Sequence, residues 1–189
     1  MPLSPPKSGG GASSRSDNAL TGLGIDAQTA DIRSYTNAVA PNAGTLAASL
    51  IGLNGGDQIT NIITCITVGG SGAAPTLIRV GIWDKNFNLL ASSVDSHASA
   101  IWTVQGYAIA PLSAIFTVPL DGAYFAGFLK VGTFATTQPT FVSGTTQTNA
   151  GKPVTGATRI WWEQTGLADL PNPAVPGNPT NAPQWFGVS

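Results

Sequence analysis

Residues 58–68 read Gln58-Ile59-Thr60-Asn61-Ile62-Ile63-Thr64-Cys65-Ile66-Thr67-Val68. Ile, Thr and Val branch at Cβ, which stiffens the side chain and suits a pleated surface better than a helix. Apolar groups fall on both faces, with Ile62, Ile66 and Val68 on one and Ile59, Ile63 and Cys65 on the other. The stretch therefore predicts a strand covered on both sides. Gly69-Gly70-Ser71-Gly72 closes it as a loop. Next, Thr76–Trp83 alternates: Ile78, Val80 and Ile82 face one way, Leu77, Arg79 and Trp83 the other. Asp84-Lys85-Asn86-Phe87-Asn88 is a polar turn and Leu89–Ser93 returns from it, the pattern of a hairpin.

Working outward, the strand signals continue in both directions. Thr45–Leu53 reads as a strand ended by Asn54-Gly55-Gly56, although its Ala- and Leu-rich text also permits a helical turn. Ser34–Ala40 is a short strand stopped by Pro41-Asn42. Downstream, Ala100–Gln105 and Tyr107–Ala110 form a strand region broken at Pro111. Ala114–Val118 then leads into the turn Pro119-Leu120-Asp121-Gly122. In Ala123–Val131, Tyr124, Ala126 and Phe128 alternate with Phe125, Gly127 and Leu129. Pro139–Val142 and Thr158–Gln164 are further strands, separated by a Thr/Gly/Asn-rich loop over 143–158. Residues 165–183 contain five prolines, but Gln184–Ser189 reads as a closing strand, so the Pro-rich stretch is a loop inside the domain. About eight to ten short strands, with turn signals at intervals of about 8–12 residues, predict an all-β fold. The expected architecture is an antiparallel β-sandwich, jelly-roll-like, with an extended N-terminal arm.

That arm covers residues 1–31, and the sandwich covers 32–189. Its opening is Pro-, Gly- and Ser-rich, and Gly9–Ser14 is flexible linker material. Such a segment cannot bury enough apolar surface to fold alone. Its composition suits a disordered tail, and the sharper reading is an arm that becomes ordered on a neighbouring subunit, with Pro2, Leu3, Pro5, Pro6, Lys7 and Arg15 as its anchoring residues. Asp17 is placed to cap a short helical turn ahead of Leu20. The opening residues have no apolar h-region, so no signal peptide is expected there.

Composition narrows the function. Hydrophobic residues make up 42% of the chain, enough for a real core, and charged residues only 9%, against about 25% in an average soluble domain. Net charge is −1, so nothing neutralises phosphates and nucleic acid is not an expected partner. No Lys/Arg-rich stretch exists to hold an anionic membrane. The uncharged stretches 100–120 and 131–151 are interrupted by Gly, Pro, Gln, Ser and Thr, so no membrane insertion is expected. Solvation falls to Thr, Asn, Gln and Ser, which suits secreted surfaces or subunits that bury their exterior in an assembly.

Catalytic constellations are not found. Four of the nine carboxylates, Asp57, Asp84, Asp121 and Asp169, sit in turns, where the side chain bonds its own backbone. Asp95-Ser96-His97 holds the three residue types of a triad, but a triad is built in space rather than by adjacency. Cys65 is the one cysteine and His97 the one histidine, so an internal disulfide is excluded and a Cys/His metal site nearly so. Cys65 reads as a small buried hydrophobe. Asp84, Asn86 and Asn88 are spaced like the first calcium ligands of an EF-hand, but Leu89 stands where the loop needs Gly. No enzymatic activity, catalytic residue, metal or cofactor is expected. The aromatic residues offer a binding chemistry, because an exposed ring beside polar groups stacks on a sugar face. Trp102 and Tyr107 lie near Gln105, and Trp161 and Trp162 near Glu163 and Gln164. Adjacent strand residues face opposite ways, so one of Trp161 and Trp162 belongs to the core and the other faces out or into an interface.

Val80–Ser93 (VGIWDKNFNLLASS) resembles a recurrent hairpin in virion surface proteins of tailed bacteriophages, with Phe87 standing where that family's turn usually has Gly. Phe116–Leu129 (FTVPLDGAYFAGFL) is similar to the same proteins' next segment, and Pro139-Thr140-Phe141 follows at similar spacing. The ending Thr165–Pro171, a Pro-rich loop, then Trp185–Ser189 matches in style, as does the opening Pro2–Gly11. The resemblance covers roughly residues 32–189 plus the arm. It implies a jelly-roll-like structural subunit of a phage particle: a capsid decoration protein, head fibre, minor tail protein or receptor-binding tip. Partners would be other virion proteins, major capsid or tail subunits, and further copies of the chain, with a trimer as the family's habit. The location would be the virion surface, after assembly in the host cytoplasm and release by lysis. The head is favoured over the tail because no coiled coil or repeat is present to make a long shaft. A host-surface glycan is a further expected ligand. No catalytic residues accompany the resemblance.

Overall fold

The computed structural model describes residues 24–29, 35–144, 161–177 and 182–189. The described strands are β1 (Ala27–Gln28), β2 (Asn37–Val39), β3 (Thr45–Leu53), β4 (Gln58–Val68), β5 (Leu77–Trp83), β6 (Leu89–Ser92), β7 (Gly106–Thr117), β8 (Gly122–Val131), β9 (Thr140–Ser143), β10 (Trp161–Gln164) and β11 (Phe186–Val188). They form two antiparallel sheets that face each other as a β-sandwich. One has five strands in the order β10-β3-β8-β5-β6. The six-stranded sheet is built on β4, with β7 along one side and β11 and β9 end to end along the other, at Ile62–Thr64 and Ile66–Val68. β1 lies outside β11 and β2 outside β9. From β2 onward every connection crosses between the sheets except the β5–β6 hairpin. That crossing winds the chain around a single interior.

The core follows from the alternation. Ile78, Val80 and Ile82 of β5, and Tyr124, Ala126 and Phe128 of β8, point inward against Ile59, Ile62 and Ile66 of β4, Phe141 and Phe186. The β4 phase differs from simple alternation at one point. Ile59 shares the inner face with Ile62 and Ile66, because the register slips between Ile59 and Asn61. A bulge reverses which residues face in. The covered outer face of β4 is there as well: Ile63 is buried under Ile25 and Trp185.

Three segments differ from the sequence reading for clear reasons. Pro111 does not break its strand; β7 runs through it from Gly106 to Thr117. Within the six-stranded sheet β7 pairs only with β4, and an edge strand tolerates a residue without an N–H. The slip at Pro111 also swings Leu112 and Ser113 toward the other sheet, where Leu112 bridges Ser93 and Ser113 Oγ donates to Ser92 O at 2.8 Å. Ala100–Trp102 is a 3-10 turn capped by Ser99, not a strand. This turn lets Trp102 enter the interior, 5.3 Å from the ring of Phe128, while its indole N–H donates to Ser96 O at 3.0 Å. Residues 24–29, assigned above to the arm, belong to the sandwich: Ala27 and Gln28 pair with Val188 and Gly187, and Ile25 is buried. Two strand residues carry too little local signal to be read without their partner.

The outer face of the five-stranded sheet holds a second apolar layer. Leu46, Ala48, Trp83, Phe125, Leu129 and Trp162 gather there under Ala174, Leu167 and Leu170 of the Pro-rich loop. The loop is tied down by polar bonds as well as apolar contact. Trp83 Nε1 donates to Pro171 O at 3.1 Å, Leu89 N to Asn172 Oδ1 at 3.1 Å, and Ala174 N to Phe87 O at 2.8 Å. Arg79 Nη1 reaches both oxygens of Asp169, at 2.9 and 3.1 Å.

Candidate interaction surface

The hairpin turn shows how this chain spends its acidic residues. Asp84 Oδ1 accepts from the amides of Asn86 and Asn88 at 2.8 and 2.9 Å, and Oδ2 from Asn88 Nδ2 at 3.0 Å. Phe87 adopts a left-handed backbone, φ +67°, a conformation that costs a side-chain-bearing residue about 1–2 kcal/mol. Its ring offsets that strain by packing on Phe125 at 5.5 Å and edge-on to Trp162 at 5.7 Å. Gly would suit the backbone better but would leave the second apolar layer uncapped.

Asp95 and His97 do meet, with Oδ2 and Nδ1 2.7 Å apart. Ser96 takes no part in the pair: its hydroxyl donates to Ile78 O at 3.1 Å and accepts from Trp102 Nε1 at 3.1 Å. Partial burial opposes ionisation of Asp95, but the amides of Ile78 and His97 and the His97 ring outweigh it and hold the carboxyl below the usual carboxylate range. The three residues pin the β6–β7 connection to β5 rather than forming a nucleophilic relay. Cys65 is half-buried beside Tyr107 and burial pushes its thiol up, away from the thiolate. Among the described residues no group of three His, Cys, Asp or Glu side chains is close enough to hold a metal ion.

The four stacking candidates separate sharply. Trp102, Trp161 and Trp162 are 0%, 2% and 0% exposed. None presents a ring face to a sugar, which corrects that part of the sequence reading. The expectation that only one of Trp161 and Trp162 is internal fails for a physical reason. β10 is covered on both sides, by the sandwich interior and by the Pro-rich loop, so the face that alternation sends outward is buried too. Tyr107 alone is exposed, at 44%, its ring 6.0 Å from that of Trp185. Pro2, Leu3, Pro5, Pro6, Lys7 and Arg15 lie outside the described residues, as does Asp17.

Tyr107 belongs to a larger surface. Opposite it on β4 is Cys65, and opposite Ile63 is Ile109, which is 50% exposed. Trp185 and Ile25, both buried, and the half-buried Val142 and Tyr35 pack over the rest of the same outer face. Trp185 is fixed there by Gln28 Oε1, which accepts its indole N–H at 3.1 Å. β7 carries no charged side chain along its length. The exposed part of the edge strand β7, with Tyr107 and Ile109, is therefore an uncharged, partly apolar face, while residue 24 leads into β1 across the sheet, outside β11. No helix among the described residues is long and apolar enough to cross a membrane.

Lys130 is the functional group that sequence reasoning missed. It is 1% exposed on the inner face of β8, opposite Thr45 and Ile78, and its ammonium donates to Gln138 Oε1. Gln138 also holds the Phe134 backbone through both ends of its amide, so Lys130 anchors the β8–β9 connection. The only clue in the sequence was a lysine two places beyond Phe128 on the inward phase. Burial lowers its pKa to about 8. The unfolded chain therefore binds more protons than the folded one from about pH 8 up to the ordinary lysine value near 10.4, and stability rises with pH through that window. The expected gain, read as the urea-unfolding difference between wild type and Lys130→Met, is about 2–3 kcal/mol. Taking the difference cancels Cys65, Tyr35 and Tyr107, which burial shifts upward and which oppose the trend. A wild-type and variant pair that stay parallel from pH 7 to 10.5 would rule it out.

Comparison with protein-family models, with curated proteins and with solved structures gave no match to this chain.

Proposed function

We propose that this protein is a structural subunit displayed on a tailed-bacteriophage particle, as capsid decoration or head fibre, anchored by its N-terminal arm and presenting the β-sandwich outward. The observation that carries this reading is the use of its reactive side chains. Asp84 caps a turn, Asp95 and His97 pin a connection, Asp169 ties down the Pro-rich loop, and Cys65 lies against a tyrosine. Among the described residues these groups are engaged in holding the fold, and that use favours a structural role over an enzymatic one. The hairpin phrase that resembles phage virion proteins folds as β5–β6, and the Phe116–Leu129 phrase spans the end of β7 and most of β8. The uncharged face of β7 suits neighbours of the same or another virion protein, including a trimer of this chain.

In this reading the arm makes the attachment and the sandwich is the body displayed, so folding of the domain and incorporation are separable. Deletion of residues 1–16 is expected to abolish incorporation into particles while leaving the thermal unfolding of the sandwich unchanged. Normal incorporation of the truncated chain would sink the arm. Immunogold labelling of intact particles with antibody to residues 32–189 locates the subunit. Label over the head supports decoration, and label confined to the tail favours a receptor-binding module with Tyr107 as its one exposed stacking residue. Unlabelled particles would remove the virion reading altogether.

A further inference from the structure

Four residues from four strand segments meet inside the sandwich at the end where β9, β10 and the approach to β11 come together. Ser143 of β9 bridges Gln184, so the two side chains point to the same, inner face of the six-stranded sheet. Across the interior, Ser49 Oγ donates to Gln184 O at 2.8 Å. Trp161 is the direct partner of Ser49 on the inner face of the five-stranded sheet. All four residues are at most 3% exposed. Yet Trp161 Nε1, Ser143 Oγ and both side-chain atoms of Gln184 have no hydrogen-bond partner among the described residues.

Buried polar groups are almost always paired, and a cluster of unpaired ones in the interior calls for a group that completes them. The chemistry of the set specifies what that group is. Trp161 Nε1 and Gln184 Nε2 need an acceptor, Gln184 Oε1 needs a donor, and the Ser143 hydroxyl serves as either. An anion would leave Gln184 Oε1 facing negative charge. A cation would face two N–H groups. A neutral molecule with two donor and two acceptor sites satisfies all four, and water is the smallest that does. We propose that Trp161, Gln184 and Ser143 form an internal hydration site, holding one or two ordered waters that join the two sheets. The proposal does not depend on the virion reading.

The test is a crystal structure of the wild-type protein at about 1.5 Å or better, paired with the melting temperature of Gln184→Met. Met keeps the length of Gln but removes both polar atoms. Solvent density within hydrogen-bond reach of Trp161 Nε1 and Gln184, with a Gln184→Met melting temperature at least about 2 °C below wild type, is the expected result. If the pocket is dry, relief of two unpaired atoms raises the melting temperature instead, and that outcome or an absence of solvent density overturns the proposal. Should Gln184→Met fail to fold, Ser143→Ala gives the same readout from the smaller change.

Discussion

Trp162→Ala is expected to lower the free energy of unfolding by about 3–5 kcal/mol, the range for removing a large buried aromatic residue. Trp162 is fully buried, and its ring lies edge-on to Trp83, Phe87 and Phe125 at centroid distances of 5.9, 5.7 and 5.9 Å. These contacts join the hairpin turn, β8, β5 and β10 beneath the Pro-rich loop, so truncation opens a cavity shared by four elements. The loss should appear as a lower urea midpoint with an unchanged slope. Trp162→Phe should cost much less, since it keeps a ring and removes an indole N–H that has no partner among the described residues. A Trp162 working at the surface as a sugar platform would behave differently. Its truncation would change stability by no more than about 0.5 kcal/mol, and that result would show the second apolar layer to be wrongly assigned.

Gly69→Ala is the second large effect. A Cβ at Gly69 would collide with the carbonyl carbon and oxygen of Thr103 and lie 2.9 Å from Val104 N. These are backbone atoms, which cannot rotate aside as a flexible side chain does. The chain after the 3-10 turn rests directly on this glycine, and next to it Gly70 N donates to Trp102 O at 2.9 Å. Making room for one methyl group means lifting Thr103, and with it drawing Trp102 out of the core. The expected loss is about 3 kcal/mol or more, at the upper end for overpacking. Gly52→Ala is the control, because nothing lies within 4 Å of its Cβ position, and it should change stability by no more than about 0.5 kcal/mol. Equal melting temperatures for the two variants would contradict the contact.

The candidate surface was only partly legible in advance. Tyr107 could be found because an aromatic residue beside Gln105 in an alternating strand is a visible pattern. Its neighbours could not: Trp185 lies 78 positions away in the chain, and Ile25 reaches the same face through a two-residue strand. Trp102 was misread for the same reason. Whether Ala100–Gln105 extends or turns depends on the space between Phe128 and Phe141, which no local window contains. Lys130 sits where alternation predicts an inward residue, and only the presence of Gln138 beside its ammonium makes burial of a charge tolerable.

Period-two alternation, β-branched residues and turn chemistry are local properties, and they carry across without help. By itself the sequence determined an all-β sandwich, the bounds of β4, the hairpin at Asp84, and a Pro-rich segment internal to the domain, while β3 was left between strand and helical turn. Tertiary structure alone decided which faces are dry. Alternation names two faces of a strand but not what lies over each, and here the Pro-rich loop and the segment around Ile25 cover faces that an isolated sheet would leave in water. Burial is a sum over contacts far apart in the chain. That is why Trp161 and Trp162, neighbours in sequence and opposite in direction, are both inside.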